Sequence, residues 1–77
     1  MDPGNLTLTV RRDQGRIRVV VDALDKDNQF LNFLQIRGIV VKPDLGRESV
    51  ELAQVAPGRY EGTIEGAEAR GNYFVSL

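Results

Sequence analysis

The segment from Ser49 to Glu65 constrains the fold most, because its pattern is that of two strands joined by a tight turn. Val50 and Leu52 alternate with polar or small residues, which is typical of a strand with one buried face. Pro57-Gly58 favours a turn, since proline presets φ near about −65° and glycine tolerates positive φ. The returning strand then places three residues on one face: Tyr60, Gly62 and Ile64. The segment predicts an antiparallel hairpin and carries no catalytic chemistry.

The same alternation recurs along the chain and predicts six strands. They span residues 6–12, 16–24, 35–42, 49–55, 59–65 and 72–77, with turn signals between them and no long helical period. This pattern is typical of a small all-β domain, and we predict an immunoglobulin-like antiparallel β-sandwich of six or seven short strands. If the strands are lettered A to F in chain order, A, B, E and D should form one sheet and C and F the other.

Two strands have clear faces. Apolar residues in the first should share one side, namely Leu6, Leu8 and Val10. The inner face of the second should consist of Ile17, Val19, Val21 and Ala23, with Val20 and Leu24 partly covered on the opposite face. Between these strands, Asp13-Gln14-Gly15 forms a turn in which the glycine takes positive φ.

The segment 30–43 is too densely apolar for simple alternation. We interpret it as a short extended stretch near residues 30–32 followed by the strand 35–42, with Gly38 marking a bulge. A helix through residues 29–37 is the competing interpretation. Two phenylalanines, the β-branched Ile36 and the glycine disfavour it.

The expected domain boundaries are a disordered lead-in at residues 1–5 and a single domain over residues 6–77. A seven-stranded sandwich needs one more strand after the last predicted one, which ends at Leu77. Either the second sheet has few strands, or the domain lacks its final strand here, and the strand count favours the second interpretation. The last strand would then expose unpaired backbone groups where another chain could pair.

Composition excludes several functions. The 77 residues include no cysteine and no histidine, which removes thiolate sites, the usual neutral-pH acid–base group and the commonest metal ligand. The formal net charge of −1 gives no reason to expect nucleic acid as a partner. No apolar run approaches the roughly 20 residues that span a bilayer, so direct membrane insertion is not expected. Nothing assembles a nucleophile, a base and an oxyanion site, so we expect neither an enzyme nor a cofactor.

One acidic cluster has the spacing of calcium ligands: Asp22, Asp25, Asp27 and Asn28. Alternating Asp and Asn can supply several of the six to eight oxygens that calcium takes. The EF-hand pattern fails, however, because its sixth and twelfth positions hold Asp27 and Phe33. A turn that uses these side chains for its own backbone bonds is the favoured interpretation, and they stay weak metal candidates.

Two other groups of side chains allow ligand binding. Arginines gather around the first hairpin, at Arg11, Arg12, Arg16 and Arg18, where a solvated face balanced by Asp13 is favoured over an anion site. Exposed aromatic rings could bind carbohydrate, but a core role is the default for Tyr60, Tyr73 and at least one phenylalanine. Phe74 is the aromatic residue that we expect to be exposed or at a contact with another domain.

Five segments together resemble a known class of domain. They are Val-Val-Val-Asp-Ala-Leu-Asp (19–25), Phe-Leu-Asn (30–32), Val-Val-Lys-Pro-Asp (40–44), Val-Ala-Pro-Gly-Arg-Tyr-Glu-Gly (55–62) and Gly-Asn-Tyr-Phe-Val-Ser-Leu (71–77). The chain resembles immunoglobulin-like accessory domains of large bacterial membrane proteins that also carry von Willebrand A or glutamine-amidotransferase-like domains. The Gly71-x-Tyr73 pair is similar to a tyrosine corner.

The resemblance implies a non-catalytic module in the extracytoplasmic (periplasmic or cell-surface) part of a longer, membrane-associated protein. Its expected partners are other domains of the parent chain or another protein. The expected function is therefore a structural or protein-interaction module, and the alternative is a ligand-binding module for calcium or carbohydrate.

Overall fold

The computed structural model describes residues 5–67 and 70–77, and these residues form one antiparallel sheet of six strands. The strands are β1 (Asn5–Asp13), β2 (Arg16–Leu24), β3 (Ile36–Val41), β4 (Arg47–Ala56), β5 (Arg59–Ile64) and β6 (Phe74–Ser76). Their spatial order is β1-β2-β5-β4-β3-β6, and the sheet curls into a half-barrel. The described residues contain no helix.

The prediction of an all-β domain is confirmed. Each predicted strand matches an observed strand, and its two ends lie within two residues of the observed ends. Asn5, expected in a disordered lead-in, is the first residue of β1. The rest of that predicted lead-in, residues 1–4, lies outside the described residues.

The two groups of strands that were expected in separate sheets are joined. Residues 36–41 of β3 pair with residues 47–52 of β4, and the later residues of β4 pair with β5. A register shift between Gln54 and Ala56 accompanies this change of partner. A bulge bends a strand and increases its twist, so β4 can lie against both neighbours of a strongly curled sheet.

The core lies on the concave face and is built on the middle of β2. Four alternate residues of β2 are at most 1% exposed: Ile17, Val19, Val21 and Ala23. Val19 faces Gly62 and Val21 faces Tyr60 across the β2–β5 ladder, which brings β5 onto the same buried face. Val20 and Leu24 on the other face are half-buried, as predicted.

The favoured interpretation of the aromatic-rich segment is confirmed, and two other expectations need correction. Residues 29–37 form no helix; Phe30 makes an isolated bridge with Leu24, and β3 starts at Ile36. No bulge occurs at Gly38, because β3 pairs with β4 in continuous register throughout. No phenylalanine enters the core, since Phe30, Phe33 and Phe74 are 60%, 93% and 65% exposed.

The predicted turns occur where expected. Gln14 and Gly15 link β1 to β2 with φ of 50° and 77°, the two successive positive values of a type I′ hairpin turn. Pro57 and Gly58 link β4 to β5, and Gly58 has φ of 67°. The Gly58 carbonyl accepts a 2.7 Å hydrogen bond from the Ala23 backbone, which fixes the hairpin tip to the end of β2.

Replacing Gly62 by alanine should destabilise the fold. A Cβ there would lie 2.7 Å from Cγ2 of Val50 and 3.0 Å from the Glu51 carbonyl oxygen, so the buried face would have to shift. We expect Gly62→Ala to lower the free energy of unfolding by about 1–3 kcal/mol, measured by chemical denaturation.

Gly46→Ala is the matched control. The new Cβ would meet only the side chain of Asp44, at 2.9 Å, in a loop, and we expect a change of about 0.5 kcal/mol or less. Equal losses in the two variants would contradict the packing assigned to Gly62.

Candidate functional site

The first strand carries an apolar row that the fold leaves uncovered. Leu6, Leu8 and Val10 stand directly opposite Ala23, Val21 and Val19 of β2, and so lie on the concave face. The β2 residues are buried, whereas Leu6, Leu8 and Val10 are 53%, 42% and 44% exposed. The reason is topological, because β1 ends the sheet and has no strand on its other side in the described part of the chain.

We call the outer margin of β1, together with the row Leu6, Leu8 and Val10, the β1 edge. Along this margin, backbone N–H and C=O groups of a nine-residue strand have no partner strand among the described residues. A long edge with an apolar row is a template for a further strand, and proteins usually shorten, charge or cover such edges. The unpaired backbone groups and the exposed apolar side chains both favour contact with a further strand.

The opposite end of the sheet is shorter. The last strand, β6, has three residues and pairs with Ile39–Val41 of β3. Edge pairing was predicted at this last strand, but the longer edge of the sheet belongs to β1. Phe74, expected to be exposed, is 65% exposed on the convex face, opposite Val41.

The loop before β3 is fixed to the hairpin by side-chain hydrogen bonds. The buried Tyr60 hydroxyl donates to the Leu31 carbonyl at 2.6 Å and accepts the Leu34 N–H at 3.1 Å. The side-chain oxygen Oε1 of Gln54 accepts the Phe33 N–H, and the side-chain amide of Gln54 donates to Oδ1 of Asn32. The predicted core role of Tyr60 is therefore confirmed, and its hydroxyl also determines the path of the loop.

This loop presents Phe33 to solvent in an unfavourable conformation. Phe33 is 93% exposed and has φ of 62°, in the left-handed region that bulky residues rarely adopt. The side chain gains almost no burial in return. Such strain is most often retained at functional positions, which makes Phe33 a second exposed apolar feature of interest.

The proposed calcium ligands serve other contacts. Asp22 Oδ1 accepts a 2.8 Å hydrogen bond from Nε of Arg59. Oδ1 of Asp25 accepts the backbone N–H groups of Asp27 and Gln29, and Asn28 has φ of 61° within the same turn. No group of three or more acidic residues converges on a metal position in residues 5–67 and 70–77.

The arginine cluster divides between the two faces of the sheet. Arg11, Arg16 and Arg18 lie on the convex face, and Arg16 and Arg18 form ion pairs with Glu65 and Glu61. Arg12 lies on the concave side, where Nε donates to the Ala67 carbonyl and the guanidinium sits 4.8 Å from the centre of the Tyr73 ring. All four arginines line one cavity together with Asp13 and Thr63, but Arg12, Arg16 and Arg18 already have partners within the domain.

Two cations are held by carboxylates in a way that favours their charged form. A hydrogen bond to Glu48 raises the pKa of Lys42 above its ordinary value. A hydrogen bond to Asp22 likewise raises the pKa of Arg59. Both groups stay protonated at neutral pH, so they act as cross-strand ion pairs rather than as proton donors.

Comparison with known proteins gives no relative to guide the assignment: no family model, no curated protein and no solved structure matches the chain significantly. The described residues also include no helix long and apolar enough to cross a membrane. The candidate site therefore depends on geometry alone.

Sequence reasoning placed Leu6, Leu8 and Val10 on one shared face, which is confirmed, but did not show that this is the core face of the sheet or that the three residues are exposed. Their alternation is identical to that of β2, so only the position of β1 at the end of the sheet separates the two. Phe33 was missed as an exposed residue, since no local signal distinguishes it from its apolar neighbours.

Removing the Tyr60 hydroxyl should loosen the loop. Tyr60→Phe leaves the Leu31 carbonyl and the Leu34 N–H without their partner, which should cost about 1–2 kcal/mol of unfolding free energy. Hydrogen exchange at the Leu34 amide should quicken more than exchange in β2. Unchanged stability and exchange would contradict this role.

Replacing Phe33 by asparagine should stabilise the domain. Asparagine tolerates positive φ and almost no burial is lost, so we expect a gain of up to about 1 kcal/mol in denaturant unfolding. Phe74→Asn is the control, because Phe74 is also exposed but lies in regular strand, and no gain is expected there. A loss of stability in Phe33→Asn would show that the ring contributes to folding.

Proposed function

We propose that this chain is a non-catalytic protein-interaction module that docks an extended segment of a partner on its β1 edge. The observation that carries the proposal is the row Leu6, Leu8 and Val10, which continues the core row of β2 but is about half exposed. Apolar rows on an edge strand favour strand addition, in which main-chain hydrogen bonds give affinity and alternate side chains give specificity.

The occupant is an extended strand because of the geometry of the β1 edge. A helix could cover the apolar row but would leave the backbone groups of the edge unpaired. An added strand pairs with those groups and places every second side chain beside Leu6, Leu8 and Val10. It would also extend the curled sheet and cover more of the concave core.

The resemblance described above supports the wider setting of this proposal. In that setting the fold is immunoglobulin-like, with β1, β2, β5 and β4 in the roles of strands A, B, E and D. The parent is an extracytoplasmic, membrane-associated bacterial protein, and the partner strand comes from another of its domains or from another protein. The absence of histidine and cysteine supports a non-catalytic role.

The alternative of a calcium- or carbohydrate-binding module gains less support. The carboxylates of Asp22 and Asp25 already accept hydrogen bonds within the domain. Phe30, Phe33 and Phe74 are exposed, but they are divided between the loop before β3 and the separate strand β6. The β1 edge, in contrast, combines two complementary features in one strand.

A peptide based on β5 tests the proposal, because β5 is the strand that already covers the other side of β2. The neutral peptide has the sequence of residues 60–65 with Glu61→Gln, Gly62→Val and Glu65→Gln, and with capped ends. It therefore presents three apolar side chains on one face. Titration followed by heteronuclear NMR should shift the amides of β1 before those of other strands.

Leu8→Lys should weaken binding of this peptide about tenfold, because the contact area of the central apolar residue is lost and a charge takes its place. Leu45→Lys is the matched control, since Leu45 is 80% exposed in a loop away from β1. This variant should bind the peptide with the same affinity as the unsubstituted domain. NMR spectra of both variants establish that they fold. Shifts scattered over the whole domain, or equal affinity in the two variants, would overturn the proposed function.

A further inference from the structure

The convex face of the sheet follows a simple rule of charge pairing. Four basic side chains of this face form ion pairs with carboxylates on the neighbouring strand or the residue next to it. The pairs are Arg16–Glu65, Arg18–Glu61, Arg37–Glu51 and Arg59–Asp22, with nitrogen–oxygen distances of 2.8–3.1 Å. Cross-strand partners of opposite charge are a recurrent means of stabilising a sheet and choosing its register.

Two arginines of this face depart from the rule among the described residues: Arg47 of β4, which lies opposite Val41, and Arg11 of β1. Only Arg11 belongs to a strand at the end of the sheet. The residue directly opposite it on β2 is Arg18, a like charge whose carboxylate partner is Glu61 on the far side. Within the described residues Arg11 forms no ion pair. Asp13, the nearest acidic residue along β1, stands opposite Arg16 at the hairpin end. The side of Arg11 that faces away from β2 is the side on which β1 has no neighbour among the described strands.

From this pattern, and resting on the proposed function above, we infer that the docking strand is acidic on its outward face: it carries a carboxylate opposite or diagonal to Arg11 and apolar residues beside Leu6, Leu8 and Val10. The fold already contains such a strand. In β5, Tyr60 and Ile64 point into the core while Glu61 points outward to Arg18 of β2. An incoming strand of the same chemistry would repeat on β1 what β5 does on β2.

Charge pairing also argues against a second copy of β1 as the occupant. Antiparallel self-pairing that sets Arg11 against Asp13 of the other copy is centred on Arg12, and it leaves Leu6, Leu8 and Val10 outside the paired length. Self-pairing centred on Leu8 aligns the apolar residues but sets Arg11 opposite the uncharged Asn5. Neither register satisfies both the apolar row and the arginine, whereas a strand that alternates apolar and acidic residues satisfies both.

The test compares two peptides on the intact protein. The acidic peptide is the sequence of residues 60–65 with only Gly62→Val, so it keeps Glu61 and Glu65; the neutral peptide is the one described above. At low salt the acidic peptide should bind about two- to fivefold more tightly, the range expected for one exposed ion pair. The preference should disappear in high salt, since exposed charges are screened.

Arg11→Gln should also abolish the preference while leaving the affinity for the neutral peptide unchanged. Arg47→Gln is the matched control: Arg47 is an exposed arginine of β4, opposite Val41, and its loss should leave the preference intact. Equal affinity for the two peptides, or a preference that survives Arg11→Gln, would overturn the inference while the docking function stands. If neither peptide binds the β1 edge, the proposed function itself fails, and the inference fails with it.

Discussion

The pairing of β4 with two different strands is the constraint on which the rest of the architecture depends. Its first half pairs with β3 and its last residues with β5, and the register shift between Gln54 and Ala56 lies within the second pairing. Without that change of partner, β3 and β6 would separate from the four other strands. The single strand therefore holds six strands in one curled sheet, whose concave side carries the core.

The core and the candidate site are two parts of the same row of side chains. Val19 and Val21 are buried because β5 lies on one side of β2 and β1 on the other. Val10 and Leu8, directly across from them, stay exposed because β1 has one neighbour only among the described strands. Function is thus proposed where the fold stops covering its own apolar face, and Arg11 on the opposite face gives that edge a charge preference.

Tyrosine and phenylalanine take opposite places in this fold, because Tyr60 is buried and the three phenylalanines are exposed. Tyr60 is fully buried and its hydroxyl joins the hairpin to the loop before β3. Phe33, held two residues beyond the Leu31 carbonyl that Tyr60 contacts, is turned to solvent with positive φ. Local preference would favour the reverse, with phenylalanine inside, and departures of this kind are commonest where a protein has a surface to present.

The sequence by itself determined which segments are strands, where the turns lie and which side chains share a face, because alternation and turn chemistry act between near neighbours. It also placed Tyr60 in the core. Only the tertiary structure decided that β3 joins β4 and that the phenylalanines stay outside. It also decided that the apolar row of β1 is exposed while the row of β2, which alternates in the same way, is buried. The physical reason is that burial depends on how many neighbours a strand has, and that number is fixed by contacts between residues far apart in the chain.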